Sequence, residues 1–259
     1  MIIDKELMKK LAEKGKRIDN RDADSYRQIS IENDVITSAE GSCRVRIGDT
    51  HVIAGVKIGT GTPFSDTPEE GVLMVAAELL PLASSEFESG PPGEEAIELA
   101  RVVDRAIRES KAIDFEKLCI TPKEKVWMVH VDIDVLDDDG NLLDAACLAA
   151  VSALLNAKLP EIDEEKNVIY GTKTSQGLPI TGKPVSNTFV KINGRLFADP
   201  KIEELDASDA RLTVGSIEKD GKFYLCSMQK GGPEGFALSD IEQIISMAEQ
   251  KSKELRVMI

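Results

Sequence analysis

The segment from residue 125 to residue 157 constrains this chain most. A strand, KVWMVHVDIDVL, runs through an acidic turn, DDDGN, into an apolar helix, LLDAACLAAVSALLNAK. The first turn of a helix has free N–H groups, so such a junction can bind an anion such as phosphate. Here Leu142 and Leu143 occupy the centre of the predicted helix entrance, and carboxylates surround it. The carboxylates are those of Asp137, Asp138, Asp139 and Asp144. Because they would repel phosphate, the junction has the frame of an anion site without the residues to bind one.

The composition narrows the class of protein. The 259 residues are 42% hydrophobic and 30% charged, which is typical of a folded globular chain. The net charge of −14 argues against a free-standing nucleic-acid-binding protein, because phosphate contacts by basic side chains supply most non-specific affinity. A local basic patch or a basic partner chain stays compatible with this charge. With His51 and His130 as the only histidines, neither a histidine-based triad nor a multi-histidine metal site is expected.

Cysteine usage and the N-terminal sequence predict a cytoplasmic protein with no membrane association. The four cysteines lie far apart in apolar stretches without a CxxC pair, which predicts reduced thiols and no zinc site. Residues 3–15 predict an amphipathic helix with Ile3, Leu7 and Leu11 on one stripe and Gly15 as its stop. The N-terminus lacks the apolar core of a signal peptide, and no apolar run reaches the roughly 18 residues that span a bilayer.

Hydrophobic periodicity predicts antiparallel strands followed by helices in the first part of the chain. Residues 27–34 read as a short strand, and residues 42–59 read as a hairpin that turns at Gly48-Asp49. Residues 71–84 fit a strand, although periodicity alone leaves a helix open. Residues 94–111 predict a helix with one buried stripe. Its members are Ile97, Ala100, Val103 and Ile107.

The last part of the chain repeats this order. Two hairpins are predicted around Asn193-Gly194 and Asp220-Gly221, which are strong signals for two-residue turns. A glycine-rich loop then leads to a final helix, predicted to open with a capping box at Ser239-Asp240-Ile241-Glu242. The inward positions predicted for this helix are Ile241, Ile244, Ile245 and Ala248.

This order predicts an α+β fold of two pseudo-duplicated halves, each with mixed or antiparallel strands packed against helices. Residues 1–24 form the predicted N-terminal helix and lead-in, and residues 25–160 form the first half. Residues 161–187 are a polar connecting segment, and residues 188–259 form the second half.

Three arginines of the predicted helix 94–111 are candidates for phosphate contacts. The spacing of Arg101, Arg105 and Arg108 places the three guanidinium groups on one helical face, opposite the predicted buried stripe. A guanidinium offers a bidentate fork to phosphate. The alternative is a solvated lattice of salt bridges, because carboxylates lie at i,i+3 or i,i+4 spacing. These carboxylates belong to Glu94, Glu98, Asp104 and Glu109.

Neither a metal ion nor a cofactor is expected. Asp132 and Asp134 share one face of their predicted strand and could bind Mg²⁺ together with the acidic turn. The favoured interpretation is that these aspartates form the polar face of an amphipathic strand and its turn. The turn fails the spacing of a calcium loop, and the loops GTGTPF and KGGPEG fail the spacing of phosphate-binding glycine motifs.

The residues and their order resemble the RNase PH-like family of phosphate-dependent exoribonucleases over nearly the whole chain. Within that family the chain is similar to the ring subunits of the archaeal exosome that lack activity of their own. The stretches that carry the resemblance are Gly41-Ser42 with Gly48-Asp49-Thr50, PGEEAIELARVVDR at residues 92–105, and DDDGNLLDAA at residues 137–146.

The resemblance implies an assembly and an activity. It implies a fold of two βαβα-like halves and a six-membered ring of three heterodimers with a catalytic sister subunit. RNA-binding subunits would cap this ring, and single-stranded RNA would be its substrate. In the active members inorganic phosphate attacks the 3′-terminal phosphodiester and releases nucleoside diphosphates. A Gly-Thr-Arg segment after the acidic turn holds the phosphate, and an aspartate near the second-half hairpin assists.

This chain departs from the family at both of those places. Asn141, Leu142 and Leu143 stand at the Gly-Thr-Arg positions, and the catalytic aspartate falls near Arg211, although Asp206 and Asp209 leave that register open. Loss of one such electrostatic donor costs on the order of 10²–10³ in rate. We therefore expect no catalytic residue in this chain.

The same resemblance places the arginine helix at a shared active site. It implies that Arg101 and Arg105 contact RNA there, with Arg108 as the weaker candidate. Two alternatives stay open at this point. One is an active phosphorolytic 3′–5′ exoribonuclease that uses Asp206 or Asp209, and the other is a ring spacer without RNA contact.

Overall fold

The computed structural model describes residues 5–259. The helices are α1 (Lys5–Glu13), α2 (Glu94–Glu109), α3 (Leu142–Asn156), α4 (Ile202–Ala207) and α5 (Leu238–Arg256). The strands of the first half are β1 (Ile29–Asn33), β2 (Gly41–Ile47), β3 (Thr50–Gly61), β4 (Val72–Leu79), β5 (Cys119–Thr121) and β6 (Lys125–Asp137). Those of the second half are β7 (Val185–Ile192), β8 (Arg195–Ala198), β9 (Ala210–Lys219) and β10 (Lys222–Gly231).

The first half is a mixed sheet with strand order β1-β2-β3-β6-β4, and β5 pairs with β6 outside that path. The neighbours are antiparallel except for β4, which runs parallel to β6. This pairing decides that the ambiguous segment 71–84 forms a strand and not a helix. The alternation Val52, Ala54, Val56 is fully buried along β3, as the pattern predicts for a strand with one face in the core.

The second half is an antiparallel sheet with strand order β10-β9-β7-β8. Both predicted hairpins are confirmed, because Ile192 pairs with Arg195 and Lys219 pairs with Lys222 across two-residue turns. Both residues of each turn have positive φ, which is the conformation that Asn-Gly and Asp-Gly favour. Strand β7 begins at Val185, inside the segment predicted as a connection.

Helix α3 is the element that the two halves share. It packs against β2 and β3 of the first sheet and against β7 of the second. Every residue from Leu143 to Leu154 is buried, which explains why this helix is apolar on all sides. The acidic turn that precedes α3 therefore lies at the junction of the halves.

The predicted apolar stripe of α1 is wrong. Leu7 is 47% exposed, whereas Met8 and Ala12 are buried. Ala12 belongs to a small cluster with Ile192 and Phe197, so contact with the second sheet sets the rotation of this helix. The predicted stop at Gly15 agrees with its left-handed backbone. Ile3 lies outside the described residues.

The predicted start of the last helix is also wrong. Helix α5 begins at Leu238 with Ala237 as its N-cap, so Ser239 lies inside the first turn. Asp240 performs half of the capping function, because its carboxylate accepts a 2.9 Å hydrogen bond from the backbone N–H of Ala237. The same carboxylate pairs with Lys191 at 2.7 Å, which ties the helix to β7. Ile244 and Ala248 are fully buried as predicted.

Candidate functional site

Helix α2 positions the three candidate arginines. Its buried face includes Leu99, Val103 and Ile107, which pack into the first-half core. Ile97 is 51% exposed, so its predicted place in the buried stripe is wrong. The reason is that the buried arc is centred on Leu99 and Val103. Ile97 therefore lies one turn before Arg101 on the outer face.

The three arginines differ in how strongly the chain already holds them. Arg101 is exposed and has no hydrogen-bond or ion-pair partner among residues 5–259. Arg105 donates one long hydrogen bond of 3.4 Å to the side chain of Gln229 on β10. Arg108 is held by Asp104 at 2.6 Å and donates to the carbonyl of Leu73 at 3.0 Å. The salt-bridge interpretation therefore holds for Arg108, and Arg101 keeps a guanidinium available for an external phosphate.

A polar chain connects α2 to the second half beside these arginines. The carboxylate of Glu98 accepts hydrogen bonds from Arg211 at 2.6 Å and from Gln229 at 3.1 Å. Gln229 in turn accepts the bond from Arg105. Glu98 thus pairs with a residue of β9 and not with its helical neighbours. One terminal nitrogen of Arg211, the residue near which the resemblance places the family's catalytic aspartate, is paired in this contact, and its buried Nε has no hydrogen-bond partner within residues 5–259.

Asn141 occupies the turn at which the resemblance to the RNase PH-like family implies a phosphate site. It is the N-cap of α3 in a left-handed conformation, with φ of +56°, and is 2% exposed. Its amide donates to Asp144 at 2.9 Å and to Asp199 at 2.7 Å. Both N–H groups of the amide are therefore committed to internal carboxylates. Leu142 and Leu143, which follow, carry no side-chain donor.

The turn is fixed from two sides, by Thr50 and by α4. The hydroxyl of Thr50 accepts from the N–H of Asp139 at 3.2 Å and donates to the carbonyl of Gly140 at 2.6 Å. Gly140 has φ of +86°, and an added Cβ would lie 2.6 Å from the backbone nitrogen of Ile202 in α4. Glycine is thus required both for the backbone angle and for the close approach of α4.

A buried carboxylate, Asp199, stands behind the turn. Arg27 forms a 2.8 Å pair with one of its oxygens, and Arg21 forms a 2.8 Å pair with the other. Burial alone would raise the pKa of Asp199, but the hydrogen bonds and charge of Arg27, with Asn141, hold that pKa below its ordinary value. Two arginines that could have served an external anion are therefore neutralised inside the protein.

Asp144 is the second buried carboxylate of this network. It accepts hydrogen bonds from the hydroxyl of Tyr26 at 2.7 Å and from the backbone and hydroxyl of Thr188 at 2.9 and 2.8 Å. Burial raises the pKa of Asp144 to about 6 despite these bonds. Asp144 lies in the first turn of α3, as predicted, but its carboxylate is fully buried and bonds to β7 across the junction between the halves.

The other acidic residues of the turn are divided in the same way. Asp139 pairs with Arg27 and Lys201, each at 3.1 Å, whereas Asp137 is exposed at the end of β6. Of the four predicted carboxylates, Asp138 is the one that lines the cavity described below. Burial raises its pKa, and the nearby charges of Asp139 and Glu95 add to this.

Sequence reasoning missed most of this network. Tyr26, Arg27 and Asp199 were not predicted as a unit, and no spacing could have joined them, since Arg27 and Asp199 are 172 positions apart. The available signal was chemical: several arginines in the lead-in, and an Asp-Pro step directly after a strand.

A cavity of about 610 Å³ lies between the halves at this turn. It brings together the residues at which the chain departs from the family. These are Asn141, Leu142 and Leu143 with Asp206 and Arg211. Arg101, Arg105 and Arg108 do not line it. The arginine face and the cavity are thus separate sites on α2.

The two candidate aspartates of the second half have different environments. Asp209 accepts a 2.7 Å hydrogen bond from the backbone of Asn193 and pairs with Lys9 at 3.8 Å, so it fastens the β7–β8 hairpin. Asp206 is exposed on α4 and lines the cavity. In the described part of the chain, no group of three or more His, Cys, Asp or Glu residues could hold a metal ion. No helix of residues 5–259 is long and apolar enough to cross a membrane.

Comparison with known proteins agrees with this architecture. Residues 25–160 match the first domain of the 3′ exoribonuclease family, and residues 182–251 match its second domain. The chain is 47% identical over 240 residues to the exosome complex component Rrp42 of Methanothermobacter thermautotrophicus, covering 92% of this chain and 88% of that protein.

Two solved structures show the same fold. A chain of the Archaeoglobus fulgidus exosome with RNA bound to the active site superposes with a TM-score of 0.89 and 42% identity, covering 97% of this chain and 96% of that chain. A chain of an archaeal exosome core superposes with a TM-score of 0.85 and 39% identity, covering 97% and 94%. The predicted RNase PH-like fold is confirmed, and the chain belongs to the 3′ exoribonuclease family.

Proposed function

We propose that this chain is a non-catalytic ring subunit of an archaeal exosome, a complex that degrades single-stranded RNA from the 3′ end by phosphorolysis. Three copies would alternate with a catalytic RNase PH-like sister subunit in a hexameric ring, capped by RNA-binding subunits. The relatives that carry exosome names match both halves of this chain over most of their length, which supports the assembly. Four free cysteines suit a reducing cytoplasm.

The non-catalytic assignment rests on the internal hydrogen bonds of Asn141. Its amide hydrogens are bonded to Asp144 and Asp199, and the next two residues are leucines. A phosphate at this turn would find no free side-chain donor and would face the carboxylate of Asp138. Arg211, the guanidinium in the cavity, is already paired with Glu98 at 2.6 Å. Ground-state binding and transition-state stabilisation of phosphate would both fail.

The contribution of this subunit to RNA comes from the outer face of α2. Arg101 is unpaired in the described chain, and Arg105 is held by one weak bond, so both can turn toward a phosphate brought by a neighbour. Their position outside this chain's own cavity supports a role at an active site of the sister subunit, across the interface. The net charge of −14 then poses no obstacle, since the RNA path is a narrow line of contacts within the ring.

An activity assay tests the non-catalytic assignment. Phosphate-dependent trimming of a single-stranded RNA is compared for this chain alone, for the sister alone and for their mixture. We expect no nucleoside diphosphate release from this chain alone and full activity from the mixture. Trimming by this chain alone would instead support an active exoribonuclease that uses Asp206. Light scattering on the same samples tests whether the mixture forms the ring.

A crosslinking experiment separates an RNA-contacting subunit from a ring spacer. RNA with a photoreactive 3′-terminal nucleotide is bound to the assembled ring without phosphate, so that it is not degraded. We expect crosslinks to α2 near Arg101 and Arg105. A ring that binds RNA and gives crosslinks to the sister subunit alone would assign this chain to the spacer class.

A further inference from the structure

The polar chain between α2 and the second half ends at a candidate RNA contact. Arg211 on β9 donates to Oε1 of Glu98 at 2.6 Å, and Gln229 on β10 donates to the same oxygen at 3.1 Å. The side-chain oxygen of Gln229 then accepts from Arg105 at 3.4 Å. Glu98 and Arg105 lie about two helical turns apart, so they share one face of α2. The chain of bonds therefore connects the second sheet with the guanidinium of Arg105.

The direction of each bond in this chain is fixed by chemistry. A carboxylate accepts hydrogen bonds only, and a guanidinium donates them only. Glu98 therefore requires the amide nitrogen of Gln229 to face it, and this turns the amide oxygen toward Arg105. The reverse orientation of the amide would place its oxygen against the carboxylate and its N–H groups against the guanidinium. The charge of Glu98 thus decides which atom of Gln229 meets Arg105.

Arg211 supplies the charge that holds Glu98 in this arrangement. The side chains of Arg211 and Glu98 are 22% and 34% exposed, so solvent screens this ion pair less than a fully exposed one. The guanidinium lies against the backbone of Gly231, where an added Cβ would lie 2.9 Å from Nη2 and 3.0 Å from Cζ. The resemblance to the RNase PH-like family places a catalytic aspartate near Arg211, and an aspartate here would repel Glu98. The arginine is therefore needed for the polar chain.

The backbone is fixed on both sides of the bond between Arg105 and Gln229. Next to Arg105, Ala106 is fully buried, and a Cβ added at Gly215 of β9 would lie 3.4 Å from the Cβ of Ala106. On the other side, Gln229 pairs with Thr213 in the ladder between β10 and β9. The bond uses one N–H of Arg105 and leaves the other N–H groups of the guanidinium for a phosphate. It limits the direction of the side chain without using up its donors.

We propose that Gln229, Glu98 and Arg211 are positioning residues that hold Arg105 in the direction in which it contacts an RNA phosphate. The proposal rests on the proposed function, since it takes Arg105 as an RNA contact. Restricting a long side chain before binding lowers the entropy cost of the contact. Arg101 has no such support among residues 5–259, so it serves as the internal comparison. Arg211 then has a role of its own at a place where the active members of the family use an aspartate.

A double-mutant cycle on the assembled ring tests this role. The affinity for a labelled single-stranded RNA is measured by fluorescence anisotropy without phosphate. The rings carry Gln229→Leu, Arg105→Ala, or both substitutions. Leucine is similar in size to glutamine but has no hydrogen-bonding group. We expect Gln229→Leu to weaken RNA binding roughly twofold, the effect of one weak hydrogen bond, and to have no effect in a ring that already carries Arg105→Ala. In a ring that carries Arg101→Ala, the twofold effect should persist.

Arg211→Met and Arg211→Lys test the far end of the polar chain. Methionine removes the charge beside Glu98, so the loss of RNA affinity should match that of Gln229→Leu and again vanish with Arg105→Ala. Lysine keeps the charge and should retain most of the affinity. If Gln229→Leu does not assemble with the sister subunit, Arg211→Met decides by the same cycle. Gln243→Leu is the matched control, because Gln243 is exposed on α5 and lies outside the polar chain.

The outcomes separate this proposal from the proposed function. A loss from Gln229→Leu that persists undiminished in the Arg105→Ala ring would show that the polar chain only ties the two halves together, and would overturn the positioning role. A loss of equal size from Gln243→Leu would overturn it as well. If Arg105→Ala weakens RNA binding while Gln229→Leu and Arg211→Met do not, the positioning role fails and the RNA contact of Arg105 stands. If Arg105→Ala leaves the affinity unchanged, the RNA contact itself fails and the positioning role fails with it.

Discussion

Replacing Arg101 by alanine tests the RNA face of α2 with the least damage to the protein. The side chain is exposed and unpaired within the described chain, so its removal leaves no orphaned partner. Surface substitutions of this kind change the free energy of unfolding by no more than about 0.5 kcal/mol. Any effect on RNA binding therefore reports the lost contact and not a loss of folding.

The magnitude follows from the state of each arginine. Arg101 has no partner in the described chain to lose when it binds a phosphate. Arg105 already uses one N–H group in a 3.4 Å hydrogen bond to Gln229, and Arg108 would lose its 2.6 Å ion pair with Asp104. One phosphate contact contributes about 0.7 to the slope of log affinity against log salt for a single strand. We expect Arg101→Ala to lower this slope by about 0.7 and to weaken binding roughly fivefold. Arg105→Ala should do somewhat less, and Arg108→Ala close to nothing.

The assay is fluorescence anisotropy of a labelled single-stranded RNA bound to the assembled ring, without phosphate, over a series of salt concentrations. Arg195→Ala is the control, because Arg195 is an exposed arginine at the β7–β8 turn with no partner in the described residues. If Arg101→Ala leaves the slope of log affinity against log salt unchanged, Arg101 does not contact an RNA phosphate. Equal effects of Arg101→Ala and Arg108→Ala would contradict the ranking drawn from their contacts.

Three further predictions concern the junction behind the turn. Asp199→Asn removes a buried charge that two arginines share, so the free energy of unfolding in urea should fall by about 3–5 kcal/mol; a loss below about 1 kcal/mol would show that the network is not a stabilising element. Gly140→Ala adds a Cβ 2.6 Å from the backbone of α4 at a residue with positive φ, so the free energy of unfolding in urea should fall by about 1–3 kcal/mol. An unchanged free energy of unfolding would mean that α4 can move away at no cost. Asp144 has a folded pKa of about 6, above its ordinary value of 3.8, so the folded state binds this proton more tightly than the unfolded state does. Its contribution to stability therefore rises as the pH falls from about 6 to about 4, and wild type should gain about 2.4 kcal/mol on Asp144→Asn between pH 7 and pH 4; parallel pH profiles of the two proteins would contradict the shifted pKa.

The strands and their turns could be read from the sequence because they depend on local chemistry. The alternation of Val52, Ala54 and Val56 indicates a strand with one face in the core. Asn193-Gly194 favours the left-handed backbone angles of a two-residue hairpin turn. Neither inference requires knowledge of a distant segment. The same holds for the spacing of Arg101 and Arg105, which fixes their shared helical face.

Helix rotation was predicted less well, because neighbours decide it. Ile97 and Leu7 fit apolar stripes by spacing, yet both are about half exposed. In α1 the contact with Ile192 and Phe197 of the second sheet selects Ala12 instead. An amphipathic pattern leaves several rotations open, and long-range packing chooses among them.

The sequence by itself determined that this chain has the frame of a phosphate site without the family's clamp, because Asn141, Leu142 and Leu143 are visible as letters. The tertiary structure decided what became of the charges around it. Arg27 and Asp199 meet across 172 positions, and Glu98 reaches Arg211 across 113, so the charges of the old site are cancelled internally. Ion pairs between distant segments follow from the packing of the two halves on α3, and no local pattern encodes them. That packing also leaves Arg101 on the outer face without a partner among residues 5–259, and it leaves the cavity with more carboxylates than basic groups.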